Sequence, residues 1–487
     1  MNSIHELLDN SARKYPHKSA IIFDDLRISF AELLKKTEFL SNLIQEKIST
    51  GNVISILCEN SPFFVISYFS VLKSGCIAHI IPPSISDFNL KEQIKETNPE
   101  MILSTRSFEQ KLNRTQLIKK TFFVENTIFS KVNDNDFCGN CFNETSSIIF
   151  TSGTTSKPKG VKLTHKNVLT ATSNIVEIID LQPNDIEINS LSLSHSFGLG
   201  CLHATFMQGG TSLIFKNTIN LKEILKNAKH ENATGFVGVP VIFYQILNSF
   251  PDLFSSISSI RYLLTNTAPM KKESILEVID LFPKANFYTY YGLTEASRST
   301  FLLFNKNKNK LKSVGKTAPG VEIKILDDNG KVISNNTMGE IFIKGNNVIK
   351  NYWNNPTADQ SIEDGWLQTG DLGYFDSDKF LFLKSRKDDL INVGGEKFTS
   401  EEVELIIKEI PEISDVAVIG ISNEIFGQLP VAFVVTNKEI TVTQIINHCS
   451  KKMERYKIPH KIFFLDALPK TDSGKIKRNA LKSNFVQ

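Results

Sequence analysis

Four stretches of this chain combine residue types and spacings that can do chemistry on phosphates. The first is Thr151-Ser152-Gly153-Thr154-Thr155-Ser156-Lys157-Pro158-Lys159-Gly160, directly after the apolar run Ser147 to Phe150. Small residues and Gly let a backbone close around phosphate oxygens, the hydroxyls donate to them, and Lys159 can neutralise their charge. It is not a Walker A loop, because no Gly-Lys-Ser/Thr stands at the required spacing and Pro158 interrupts. Taken alone, a solvated Ser/Thr/Gly loop is the alternative. The second is Tyr291-Gly292-Leu293-Thr294-Glu295, where a tyrosine at a strand end can lie on a flat base, and an adjacent hydroxyl and carboxylate suit Mg²⁺ or its waters. A strand-turn-helix start with a capping carboxylate fits the same letters. The third is Gly365-Trp366-Leu367-Gln368-Thr369-Gly370-Asp371, in which Asp371 follows a Gly turn and could accept from ribose hydroxyls. An Asp-stabilised turn is the alternative. The fourth, Pro469 to Arg478, carries Lys475 on a Gly-punctuated loop or, more simply, on a basic tail.

These stretches need a scaffold, and the pattern around them supplies one. Short apolar runs at Ala20–Phe23, Val53–Leu57, Cys76–Ile81, Met101–Ser104, Thr211–Phe215, Gly235–Val239, Tyr262–Thr265 and Asn286–Tyr290 alternate with helical periodicity. The helical segments include residues 4–16, residues 28–47 with Ser29 as N-cap, and an amphipathic helix ending at Lys73. Repeated βαβ units imply parallel sheet covered by helices. From about Lys316 the runs shorten (Val321–Leu326, Lys331–Ser334, Gly339–Lys344, Phe380–Leu383) with Asp/Asn/Gly turns between them, the pattern of a small antiparallel subdomain. Beyond Arg386, helix Ser400–Glu409, strands Ser414–Gly420 and Val431–Thr436, helix Thr443–Met453 and strand Lys461–Leu465 make a compact α+β unit.

Composition bounds the rest. The 487 residues exceed one compact domain, and 41% hydrophobic with 22% charged residues is globular and not disordered. Lys+Arg 55 against Asp+Glu 52 leaves a net charge of +3, too mild for a dedicated nucleic-acid or membrane-surface protein. No basic-then-apolar leader and no membrane-length apolar run is visible, so a cytoplasmic location is expected. The six Cys are too sparse for a disulfide scaffold, and Cys138-x-x-Cys141 lacks a second ligand pair, so it reads as two incidental thiols.

In this order and spacing, the four stretches resemble the adenylate-forming superfamily of acyl-CoA synthetases, adenylation domains and luciferases, over essentially the whole chain. The resemblance implies an α/β fold. A large N-terminal domain (1–385) has parallel-rich sheets and an antiparallel subdomain, and a mobile α+β lid (386–487) is hinged at Asp388. It implies that a carboxylate attacks the α-phosphate of Mg-ATP, giving an acyl-adenylate and pyrophosphate. The lid then rotates, and a phosphopantetheine thiol, CoA or a carrier protein, takes the acyl group. By position, Lys475 matches the lysine bridging carboxylate and α-phosphate. Thr151, Ser152, Gly153, Thr154, Thr155 and Lys159 match the phosphate loop, and Thr294 and Glu295 match the phosphate and magnesium pair. Tyr291 with Gly292 matches the adenine-stacking position, and Asp371 and Arg386 match the ribose contacts. His195 matches an aromatic or His position near the carboxylate, Thr267 and Ala268 the segment lining adenine and acyl group, and Gly394 and Gly395 the loop beside the pantetheine tunnel.

The sequence departs from the family at Ser156, Ser385 and Ser192, and at Asn266-Thr267 where Gly-Gly is frequent; bulky Tyr290 precedes Tyr291. Added side chains should fill the acyl pocket, which favours a small or flat acid over a long chain. The Leu193 to Leu199 stretch has no Asp to grip an α-ammonium, which disfavours amino acids. Two other readings remain. One is an enzyme that loads an acyl carrier protein. The other is a non-catalytic nucleotide-binding relative, which Ser156 supports and the retained Lys475, Glu295 and Asp371 oppose.

Overall fold

The computed structural model describes residues 1–125, 142–151, 158–216, 220–387, 390–393, 396–423, 426–471 and 474–485. Ser152, Gly153, Thr154, Thr155, Ser156, Asp388, Gly394, Gly395 and the Cys138/Cys141 pair lie outside the described residues.

Among the described residues the strands form four sheets. The largest has a parallel centre in which Ser19–Phe23, Thr211–Ile214, Ile186–Asn189, Gly235–Gly238, Tyr262–Thr265 and Asn286–Tyr291 lie side by side in that order. Antiparallel strands close its edges, Leu26–Ser29 at one end and Thr300–Leu303 with Lys316–Thr317 at the other. These central strands read as continuous apolar runs because helices cover both faces; all of Gly235–Gly238 and Tyr262–Thr265 is buried. A second sheet orders Thr121–Phe123, Met101–Ser104, Val53–Leu57, Ile77–Ile80, Thr145–Thr151 and Lys159–Thr164, parallel except for its last pair.

The third sheet is antiparallel, Val321–Leu326, Gly339–Gly345, Trp366–Phe375 and Ile362–Glu363, with Leu381–Arg386 also on Trp366–Phe375. The fourth joins Glu396–Thr399, Leu390–Val393, Gly427–Thr436 and Ile413–Asn423, with Lys461–Phe464 added in parallel. Helices Ser400–Ile407 and Val442–Ser450 pack their Val403, Ile407, Ile445 and Cys449 against Ile391, Val418 and Val434 of that sheet. The architecture is thus mixed α/β with parallel-rich sheets and a smaller α+β unit after them.

Several expectations hold closely and some do not. Ser29 caps the helix Phe30–Gln45 with a complete capping box, its Oγ accepting from the Glu32 amide while Glu32 accepts from Ser29 N–H. Lys331–Ser334 forms no strand; Val332 makes only an isolated bridge to Leu326. The helix Pro62–Lys73 is buried nearly all round instead of amphipathic, and even Lys73 is buried, held by Asp9 at 2.6 Å and Glu38 at 3.5 Å. Asp371 stands inside the ten-residue strand Trp366–Phe375, not after a turn. Tyr291 ends a strand as expected, but an antiparallel strand, not a helix, follows Thr294-Glu295.

Candidate active site

Four neighbouring strands of the largest sheet deliver chemistry at one edge. Beyond the C-terminal ends of Ile186–Asn189, Gly235–Gly238, Tyr262–Thr265 and Asn286–Tyr291 come, in turn, His195, Val239-Pro240, Thr267-Ala268 and Gly292 to Glu295. In open parallel sheets the crevice outside the carboxyl ends of the strands is where ligands bind.

Tyr291 is buried, and its hydroxyl donates to Asp371 Oδ2 at 2.5 Å. The other carboxylate oxygen of Asp371 accepts from Arg386 Nη1 at 2.8 Å, and the same nitrogen donates to Thr369 O at 2.9 Å. Asp371 and Arg386 face each other across two paired strands, so their backbone register sets this contact. Gly370 makes it possible: its φ of +70° is left-handed, and a Cβ there would press on the guanidinium, 3.0 Å from Arg386 Nη2. Burial first, then the Asp371 charge, pushes the Tyr291 phenol well above its ordinary value, so it stays a donor.

A second group gathers around Glu295. Its Oε1 accepts from Tyr352 OH at 3.2 Å. Lys159 lies over the Tyr352 ring at 5.8 Å. The backbone fixes this group, because Ile349 N–H donates to Glu295 O at 3.0 Å and Trp353 N–H to Gly160 O at 2.7 Å. Burial raises the Glu295 carboxyl, while the Arg386 and Lys159 charges draw it back. Thr151 and Lys159 pair directly across the antiparallel strands that bracket the Ser/Thr/Gly stretch.

Thr294 Oγ1 meets Ser196 Oγ at 3.4 Å. Ser196 opens the helix Ser196–Gln208, whose N-cap is the exposed His195. Tyr290 is buried, its ring edge-on to Phe197 at 5.4 Å and tilted against Phe301 at 5.7 Å. Thr267, where Gly is frequent in the resembled family, holds φ +83°, a conformation costly for a β-branched residue. Ser385, another such position, buries an Oγ that has no partner among the described residues.

Lys475 stands apart. It is exposed on a turn in which Gly474 N–H donates to Thr471 O at 2.8 Å and Thr471 N–H to Lys475 O at 2.7 Å. Among the described residues no hydrogen bond joins it to Thr294, Glu295 or Asp371.

The profile described as "AMP-binding enzyme" matches residues 8–353, and that described as "AMP-binding enzyme C-terminal domain" matches residues 402–475. The chain belongs to the AMP-binding enzymes. It is 29% identical to 2-succinylbenzoate–CoA ligase of Bacillus subtilis over 97% of this chain and 96% of that one. It is 30% identical to 4-coumarate–CoA ligase 3 of Arabidopsis thaliana over 91% of this chain and 84% of that one. The solved o-succinylbenzoate CoA synthetase of Bacillus subtilis, in complex with ATP and magnesium ion, superposes with a TM-score of 0.88 at 28% identity, over 98% of this chain and 99% of that one. As an AMP-binding enzyme of this kind the chain is an ATP-dependent acid–thiol ligase that works through an acyl-adenylate.

The donor set fits magnesium. A hydroxyl and one carboxylate are hard oxygens, and this ion characteristically takes few protein ligands and fills the rest with phosphates and water. Among the described residues no group of three or more His, Cys, Asp or Glu is placed to hold a metal. Sequence reasoning missed Tyr352 and Ser196. Tyr352 lies 57 positions from Glu295, and its only signal was an aromatic pair, Tyr352-Trp353, in a polar stretch. Among the described residues no helix is long and apolar enough to cross a membrane.

Proposed function

We propose that this enzyme activates a small or flat carboxylic acid and passes it to the thiol of CoA in the cytoplasm. The observation that carries the site assignment is the bonded set Tyr291–Asp371–Arg386 together with the group Glu295, Tyr352 and Lys159, to which three of the sheets contribute. The Tyr291 ring, fixed by its hydroxyl, presents a face for adenine. Asp371 keeps lone pairs for ribose hydroxyls after accepting one bond on each oxygen. Thr151 and Lys159 flank the phosphates, with Ser152, Gly153, Thr154 and Thr155 between them. Thr294 and Glu295 hold magnesium, which when bound offsets phosphate charge.

The first step brings a carboxylate to the α-phosphate, two anions that must be neutralised and held in line. Lys475 is the cation for this step, and its exposed turn supports a lid that carries it in. His195, at the mouth of its helix, lies beside the carboxylate, and Gly394 and Gly395 line the thiol path in the second step. Domain boundaries at 1–385 and 386–487 with Asp388 as hinge follow from the same reading. The acids named in the two relatives, 2-succinylbenzoate and 4-coumarate, are aryl acids and not long acyl chains, which supports a compact pocket here.

A panel of carboxylic acids in a pyrophosphate-release assay, run with CoA or with an acyl carrier protein, tests this. Acyl-CoA formation from a short or aryl acid is expected. A long-chain acid such as palmitate with the highest kcat/KM would overturn the pocket reading, and transfer only to carrier protein would overturn CoA.

A further inference from the structure

Arg298 has no assigned role in adenylation, yet it is among the least expected side chains in the molecule. It is 2% exposed, and its Nε and Nη2 have no hydrogen-bond partner among the described residues. Two buried guanidinium nitrogens without acceptors are costly, so their persistence calls for a group that completes them. Those two nitrogens are the adjacent pair whose N–H bonds run side by side, the fork that grips one carboxylate through two hydrogen bonds.

Cys201 hydrogen-bonds to the guanidinium, and the rest of its surroundings hold it while leaving Nε and Nη2 unbonded. It lies over the Tyr290 ring at 5.5 Å. It rests on Gly200, where a Cβ would collide with Nη1, Nη2 and Cζ. The Arg298 backbone is itself left-handed, with φ +56°. The nearby carboxyl, Glu187, is engaged elsewhere: Oε2 accepts from Tyr262 OH at 2.8 Å and Oε1 from Thr205 Oγ1 at 3.2 Å. Burial raises the Glu187 pKa to about 7, which weakens it further as a counter-ion.

Gly200 lies four residues along the helix from Ser196, which touches Thr294 at 3.4 Å. That is one helical turn, about 6 Å, so an acid reaching from the reacting end to the guanidinium would be about four to six carbons long. We propose that Arg298, seated on Gly200, binds a second carboxylate of the acid substrate, making this a ligase for short dicarboxylic acids. The inference rests on the reading that this crevice takes the acid, and adds what the far end of that acid must be.

Matched pairs test it: succinate, glutarate and adipate against butyrate, pentanoate and hexanoate, in acid-dependent pyrophosphate release. A dicarboxylate preference of about 100-fold in kcat/KM is expected. Arg298→Leu and Gly200→Ala should each collapse that ratio, with thermal melting used to confirm folding. Gly200→Ala is the safer variant, since Ala favours a helix and the change acts only by displacing the guanidinium. Preference for the monocarboxylates, or a ratio unmoved in both folded variants, overturns the inference while leaving acid activation standing. If no acid of either series is turned over, affinities of acyl-sulfamoyl adenosines with and without a terminal carboxylate decide. Tighter binding of the carboxylated one, lost in Gly200→Ala, supports the inference; equal affinities overturn it.

Discussion

Tyr291 and Asp371 are 80 positions apart in sequence and 2.5 Å apart in space. Each was legible as a candidate from its own motif, but the bond between them was not, because it depends on which strands the fold sets side by side. The same holds for Tyr352 and Ser196, which only tertiary structure brings to Glu295 and Thr294. In the proposed mechanism Lys475 is the residue on which the first half-reaction turns. Lys475→Ala should lower acyl-adenylate formation by about 100-fold or more, while a supplied acyl-adenylate is still converted to thioester. Single-turnover assays of the two half-reactions check this, and equal loss in both would contradict it. Thr267 supplies a prediction of the opposite sign. With φ +83° it is strained where Gly would not be, so Thr267→Gly should raise stability by about 1 kcal/mol in chemical denaturation.

Elements differ in how plainly they can be read. The parallel strands of the largest sheet announced themselves, because burial on both faces makes short unbroken apolar runs. Trp366–Phe375 did not: Gln368, Thr369, Gly370 and Asp371 look like a turn, and the left-handed Gly370 interrupts the alternation inside one strand. The register shifts on both sides of this strand mark the same irregularity, and it is there that the strand places Asp371 against Arg386 and Tyr291. Helix Pro62–Lys73 misled in the other direction, since its Ser and Lys residues read as a polar face although they are buried. Within the largest sheet Glu187 gives a pH prediction. Its folded pKa, raised by burial to about 7, lies above the ordinary 4.5, so the folded state prefers the proton. That contribution is complete below pH 4.5 and is lost as pH rises through 7. Relative to Glu187→Gln, the wild type should therefore lose about 2 kcal/mol between pH 5 and 8. Urea titrations at the two pH values measure it, and a constant difference would contradict it.

At the scale of the molecule, the near-neutral charge counted first against nucleic acid and membranes. Several of the cations that matter, Lys159, Arg386 and Arg298, prove to be set against particular carboxylates, rings and backbone carbonyls instead of spread over a surface. Lys475, exposed on its own turn, is the exception, which the proposed swinging lid accounts for. Asp388→Pro, by stiffening the hinge, should leave acyl-adenylate formation within about twofold and impair thioester formation at least about tenfold. Equal loss of both steps would contradict the two-position account. The central claim is acid activation through an adenylate, and it is tested most directly by product analysis of purified enzyme with Mg-ATP, CoA and an acid panel. Pyrophosphate, AMP and acyl-CoA formed in equal amounts, and only when a suitable acid is present, is the predicted result. Normal ATP binding with no pyrophosphate from any acid, or cleavage to ADP and phosphate, would contradict it.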